Sequence, residues 1–242
     1  MSKYVSNILA LIKAEFIKLN IGKLAIFISG LTFIYTGCIL GICEMSVDYT
    51  DLSLDTYFCV VLFEVSIILV LPVLVWGTNI YTSNLERKNK GWMLSYSLVE
   101  NRKEIILAKH LVNVFLIMLI YCIWGIFASV IMYNRGISVV YEVIIVPVIL
   151  SCISIIPISL FIQYFSMIFE NPVILCFACI FYVILTYVLT QTQYKDYFCI
   201  TYPYSLLLGT EQIVVKLVAC IIIEIILIIG VDIPVSNISK KI

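Results

Sequence analysis

Apolar residues along this chain gather into long runs separated by short polar breaks. The runs at 24–43, 57–80, 105–133, 140–169, 173–192 and 213–233 each approach or exceed the roughly 20 residues a helix needs to cross about 30 Å of hydrocarbon. Outer-membrane barrel strands are about ten residues long and alternate in polarity, which these runs do not. The pattern predicts an all-α membrane protein of six transmembrane helices, a single transmembrane domain over 1–242.

The segments between the runs have characters of their own. Across 1–22, Tyr4, Val5, Ile8, Leu9, Ile12, Phe16 and Leu19 share one face of a helical wheel. Lys3, Ser6, Asn7, Lys13, Lys18 and Asn20 take the other, and Glu15 interrupts the pattern. A basic amphipathic helix of this kind is expected to lie in the membrane interface, with packing against protein as the alternative. The polar stretch before the first run is long and no small-residue cleavage site follows that run, so the first span is expected to stay. Pro147 and Pro157 predict a kink or break in the fourth span. Glu170-Asn171-Pro172 reads as a tight turn, and the aromatic stretch 193–212 as an extracellular re-entrant region.

Composition agrees: 63% of residues are hydrophobic, 12% are charged, and the mean hydropathy is +1.12. Soluble domains are nearer half apolar and a quarter charged. Formal net charge is zero, which leaves no basic face for nucleic acid. With six spans, one side holds Lys3, Lys13, Lys18, Lys23, Arg87, Lys88, Lys90, Arg102, Lys103, Lys109, Lys240 and Lys241. The other keeps Arg135, Lys195 and Lys216. The positive-inside rule makes the first side cytoplasmic. The expectation is a multi-pass membrane protein with both termini on the cytoplasmic side.

Candidate chemistry is sparse. Glu64 and Glu224 are ionisable groups within spans, where each would contact a cationic substrate, carry protons or hold a partner helix. Neither has an acidic or histidine companion along its span. His110, the only histidine, sits at the membrane-facing end of the third span and excludes zinc sites that need two. No GxxxxGK[ST] or GxSxG motif is present, so an enzyme reading is poor and no cofactor is expected in this chain. Nine cysteines are scattered through the chain; the CxxC of Cys176 and Cys179 lies inside a span and reads as helix packing, while an external disulfide from Cys199 stays open. Gly37 and Gly41 form a GxxxG that lets helix backbones approach closely, suited to a helix–helix interface.

The most charged stretch is 83–109, with Glu86, Arg87, Lys88, Lys90, Glu100, Arg102, Lys103, Glu104 and Lys109. Lying between two spans, it is expected in water and within reach of a soluble partner. Its order is Glu86, Arg87-Lys88-Asn89-Lys90, Gly91-Trp92, Leu94, Ser97-Leu98, Arg102-Lys103 and Ala108-Lys109. That order resembles the segment after span two in ABC-2 type transporter permeases, and among them the compact permeases of lantibiotic-immunity exporters. Val99 departs from the pattern where many relatives have Pro. The layout of the whole chain is similar too: interfacial helix over 1–22, coupling segment over 83–104, re-entrant region over 193–212.

The resemblance implies a non-catalytic permease subunit served by separate cytoplasmic ABC ATPase chains, which bind the ATP and Mg. It also implies a second permease subunit, paralogue or copy, in contact with membrane lipids and an antimicrobial peptide substrate. On this reading Glu86, Arg87, Lys88, Lys90, Gly91, Trp92, Met93, Leu94, Tyr96, Arg102 and Lys103 form the ATPase-coupling surface. The apolar anchors would be Trp92, Met93, Leu94 and Tyr96, with Arg87, Lys88 and Lys90 as a charged rim. The alternatives are an exporter of the same architecture for a drug, lipid or polysaccharide precursor, and an ion-coupled secondary transporter using Glu64 and Glu224.

Overall fold

A computed structural model describes residues 2–19, 22, 30, 66–88, 102–134, 141–169, 171–192, 197–198, 201–202 and 213–229. These form α1 (Ser2–Lys18), a π-helical turn (Ser66–Val70) leading into α2 (Leu71–Lys88), α3 (Arg102–Asn134), α4 (Tyr141–Ile168), α5 (Pro172–Thr190) and α6 (Ile213–Ile229). There is no strand among the described residues. Four helices are long and apolar enough to cross a membrane, at Ile68–Arg87, Glu104–Ile126, Ile149–Ile168 and Val173–Thr190. Of the other two expected spans, 213–233 is represented by the 17 residues of α6, and 24–43, apart from Gly30, lies outside the described residues.

Local sequence accounts for the helix boundaries. The π-helical turn ends directly before Leu71-Pro72, where the proline's missing N–H leaves a carbonyl of the preceding turn without its usual partner. Asn171 caps α5: its side chain accepts from Val173 N at 2.9 Å, and Pro172 occupies the first turn. Helix α3 has 33 residues, about 50 Å at 1.5 Å per residue, and so exceeds the hydrocarbon thickness. Against expectation, α4 runs without a break through both Pro147 and Pro157. Proline in water costs a helix about 3 kcal/mol, but inside a bundle neighbouring helices hold the segment straight enough to continue.

Helices α2, α3 and α4 pack on one another as a central triangle; α1 lies on α3, α5 on α2, and α6 on α4. Hydrogen bonds fix the directions. Asn79 meets Ser159, Ser83 meets Ser166 and Arg87 meets the Phe169 carbonyl, so α2 and α4 run parallel. Asn79 with Asn113, and Glu86 with Lys109, make α3 antiparallel to α2. The C-terminal end of α2 and the N-terminal end of α3 therefore meet beside α1, at what we call the α1 end. The C-termini of α4 and α6 reach the same end, since Tyr164 Oη donates to Leu227 O at 3.1 Å.

Away from the α1 end the triangle is apolar and aromatic. Tyr121 and Trp124 are fully buried and stacked with centroids 5.4 Å apart, and Trp76 meets Phe165 and Tyr182 edge-on. Since lipid is as apolar as these side chains, close packing rather than escape from water holds this layer together. Among the described residues, Cys152 and Cys220 are buried, and Cys122, Cys152, Cys176 and Cys179 form no disulfide. Outward faces such as Phe177, Phe181, Ile184 and Val188 of α5 stay exposed, as a lipid-facing surface requires.

Toward the α1 end the same triangle becomes polar. Asn113 Nδ2 donates to Asn79 Oδ1 at 2.9 Å and to Thr82 Oγ1 at 3.3 Å. The Ser83 and Ser166 hydroxyls are 2.8 Å apart, and Gln163 Nε2 donates to Ile106 O at 3.2 Å. These groups repeat at helical spacing, 79, 82, 83 and 86 on α2 and 159, 163 and 166 on α4, so each helix turns one polar stripe inward. Replacing Asn79 with Leu is expected to cost about 0.5–2 kcal/mol in unfolding titrations in detergent. The double change Asn79→Leu with Asn113→Leu should cost less than the sum of the two, because the second removes an amide the first leaves unpaired.

Candidate functional site

The polar stripe ends in four charged side chains at the α1 end. Glu15 and Lys18 stand one turn apart on α1, Glu86 is in the last turn of α2, and Lys109 is in the second turn of α3. Lys109 Nζ lies 2.9 Å from Glu15 Oε2 and 3.0 Å from Glu86 Oε1. Lys18 Nζ lies 2.8 Å from Glu15 Oε1 and 3.0 Å from the same Glu86 oxygen. Each lysine thus touches both glutamates, closing a ring of two acids and two bases with no net charge.

Burial makes this ring consequential. The Lys109 and Glu86 side chains are 2% and 4% exposed, whereas Lys18 remains 41% exposed at the rim. Opposite charges buried together offset the cost of leaving water only when all are present in good geometry. Burial alone would push the Lys18 ammonium down. Hydrogen bonds to Glu15 and Glu86, reinforced by their charges, nevertheless leave it above its ordinary range, so it stays protonated at neutral pH. Around the ring, Ile12, Phe16 and Leu19 pack with Val112, Leu116, Tyr81 and Leu85. Phe16 meets Phe115 edge-on with centroids 5.6 Å apart.

The ring changes two readings made from sequence. Part of the apolar face of α1 meets protein, at Ile12, Phe16 and Leu19, while Leu9 stays exposed. The stretch 83–109 does not lie wholly in water: α2 continues to Lys88, and Ser83, Glu86 and Lys109 are buried. The physical reason is mutual neutralisation, which a one-dimensional charge count does not register. What connects α2 to α3 is residues 89–101.

Arg87 turns away from the ring toward α4. Its guanidinium donates to Phe169 O at 2.6 Å and also to Ser166 O, carbonyls at the C-terminal end of α4. A cation there complements the helix dipole and satisfies carbonyls that lack intrahelical donors. Lys88 is the last residue of α2, and Arg102 and Lys103 are the first two of α3. Lys90, Gly91, Trp92, Met93, Leu94 and Tyr96 lie outside the described residues, as do Gly37, Gly41 and Glu64.

Glu224 of α6 has a partner that sequence spacing did not reveal. His110 Nε2 lies 2.9 Å from Glu224 Oε1, and the side chains are 2% and 17% exposed. The pair joins residues 114 positions apart, so neither span shows a second titratable group by itself. Among the predicted site residues, the fold brings Glu86 and Arg87 to one end of the bundle and pairs Glu224 with a residue not proposed as a site. Glu15, Lys18 and Lys109, which complete the ring, were missed as a constellation. The available signal was Glu15 on an otherwise amphipathic wheel and the polar spacing leading to Glu86.

Comparison with known proteins identifies no relative: no family model, curated protein or solved structure matches the chain.

Proposed function

We propose that this chain is the permease subunit of an ATP-driven exporter of the ABC-2 type, in which a separate cytoplasmic ATPase acts on residues 89–101. The observation that carries the reading is the ring of Glu15, Lys18, Glu86 and Lys109. It ties α1, α2 and α3 together directly where the connection 89–101 leaves α2 and joins α3. A force applied to that connection would move three helices as one unit rather than bend a free loop. Arg87, held on the end of α4, would extend the same motion to the third side of the central triangle.

On this reading the α1 end is cytoplasmic, in keeping with the excess of basic residues on that side, and the protein lies in a bacterial cytoplasmic membrane. The six-span layout, a second permease subunit and ATP with Mg on the partner ATPase belong to the same proposal. The substrate class favoured is a cationic antimicrobial peptide removed from the outer leaflet. Glu44, Asp48, Asp51 and Asp55, and the aromatic stretch 193–204, fall on the side where such a peptide would arrive.

The test is retention of the ATPase. Replacing Trp92 and Met93 with Glu should reduce co-purification of the ATPase by about tenfold or more, because apolar anchors dominate such interfaces. Thermal unfolding of the permease alone should stay unchanged. Full retention by the double variant would overturn the assignment of this segment.

A further inference from the structure

Neither the charged ring nor the polar seam uses the contact between His110 and Glu224. His110 follows Lys109 on α3, about 100° further round the helix. Lys109 therefore serves α1 and α2 while His110 serves α6. The pair is held at 2.9 Å between Nε2 and Oε1. Its other two polar atoms, His110 Nδ1 and Glu224 Oε2, are buried without a hydrogen-bond partner among the described residues. One helical turn from the pair, Ile106 on α3 and Leu227 and Ile228 on α6 belong to an apolar cluster with Leu160, Tyr164 and Met167.

We propose that His110 and Glu224 form an intramembrane proton-binding site, in which one proton held between Nε2 and Oε1 keeps the pair uncharged and α6 attached to α3. The charge states support this. With one shared proton in addition to the proton of a neutral ring, the pair sums to zero, whether the shared proton sits on nitrogen or on oxygen. Without it, a carboxylate faces a neutral ring in apolar surroundings; with a second, an imidazolium faces a neutral acid. Either of these leaves a lone charge away from water, which is costly.

The neighbouring titratable groups are engaged elsewhere. On α4, the Tyr164 hydroxyl donates to Leu227 O at 3.1 Å. On α3, Lys109 is turned to Glu15 and Glu86, and Glu104 lies more than a turn before His110. On α6, the buried Cys220 thiol lies about one turn before Glu224, and Lys216 about two turns before it toward the opposite end. On α1 and α2, Glu15, Lys18 and Glu86 belong to the ring, which has no net charge. Loss of the proton thus leaves Glu224 as an uncompensated carboxylate at the α3–α6 contact, so proton occupancy and the attachment of α6 are linked. This inference does not rest on the ATP-driven reading: ATPase retention tests 89–101 and reads nothing at His110.

Because His110 is the only histidine, nitrogen-15 histidine labelling of the full chain in lipid nanodiscs reads this one ring. At neutral pH the wild-type ring should carry protons on both nitrogens, or on Nδ1 alone with Nε2 accepting from the protonated acid. Where the wild-type ring carries both protons, Glu224→Gln should remove one and shift its nitrogen resonances. A wild-type ring protonated at Nε2 alone from about pH 5 to about pH 8 would overturn the proposal, since the carboxylate would then hold no proton. Where the wild-type ring is doubly protonated, so would an unchanged spectrum in Glu224→Gln. Should that variant fail to fold, the wild-type tautomer alone decides the question.

Discussion

Replacing Lys109 with Met is expected to cost about 3–5 kcal/mol of stability and to release α1 from the bundle. Met preserves most of the stem volume, so the loss isolates the charge. Without the ammonium, the Glu15 and Glu86 carboxylates face each other with only the half-exposed Lys18 between them. Unfolding titrations in detergent measure the loss, and faster protease cleavage within 2–18 reports the release of α1. Lys18→Met provides the comparison. That lysine is 41% exposed, and exposed ion pairs contribute about 0–1 kcal/mol. Adding Glu15→Gln to Lys109→Met should recover part of the loss, because it removes a buried charge that no longer has its partner. Equal costs for Lys109→Met and Lys18→Met would show that burial does not set the energetics of this ring.

Replacing Arg87 with Ala is expected to destabilise the permease by about 2–3 kcal/mol, in the range measured for hydrogen bonds made by charged groups. The guanidinium reaches two carbonyls at the end of α4, Ser166 O and Phe169 O. Its removal exposes those carbonyls and leaves the polar α2–α4 contact to the Ser83–Ser166 and Asn79–Ser159 bonds. Arg87→Lys should recover only part, since one ammonium does not reproduce a planar fork of donors. Thermal unfolding of the permease without any ATPase is the informative measurement. A purely rim role at a partner interface predicts no change there, and such a result would assign Arg87 to the interface instead.

Much of the architecture was legible from hydropathy. The helices Arg102–Asn134, Tyr141–Ile168, Pro172–Thr190 and Ile213–Ile229 fall largely on apolar runs recognised from sequence, and Leu71–Lys88 starts in one and continues past its expected end at 80. The Asn171-Pro172 start of α5 was visible as turn chemistry. The two prolines of α4 do not break the helix, because a propensity measured in water is overridden where a helix is held by its neighbours. The candidate site was less accessible. Glu15 breaks the wheel of α1 and looks like a flaw until Lys109 is placed opposite it. Glu224 looks isolated until α6 is laid beside α3 and meets His110.

By itself, the sequence determined that this is a helical membrane protein, where most of its helices lie, and that its charge concentrates where α2 ends and α3 begins. Those properties depend on the composition of contiguous stretches, and hydrophobic length is a local quantity. Only the tertiary structure decided which charges are buried, which are paired, and which helix each pair joins. Stability of a buried charge depends on partners 23, 94 and 114 positions away in sequence, and no local window contains them. The stretch that looked like a solvated loop therefore divides by packing: Glu86 and Lys109 belong to the interior, and the connection 89–101 runs between the helices that carry them.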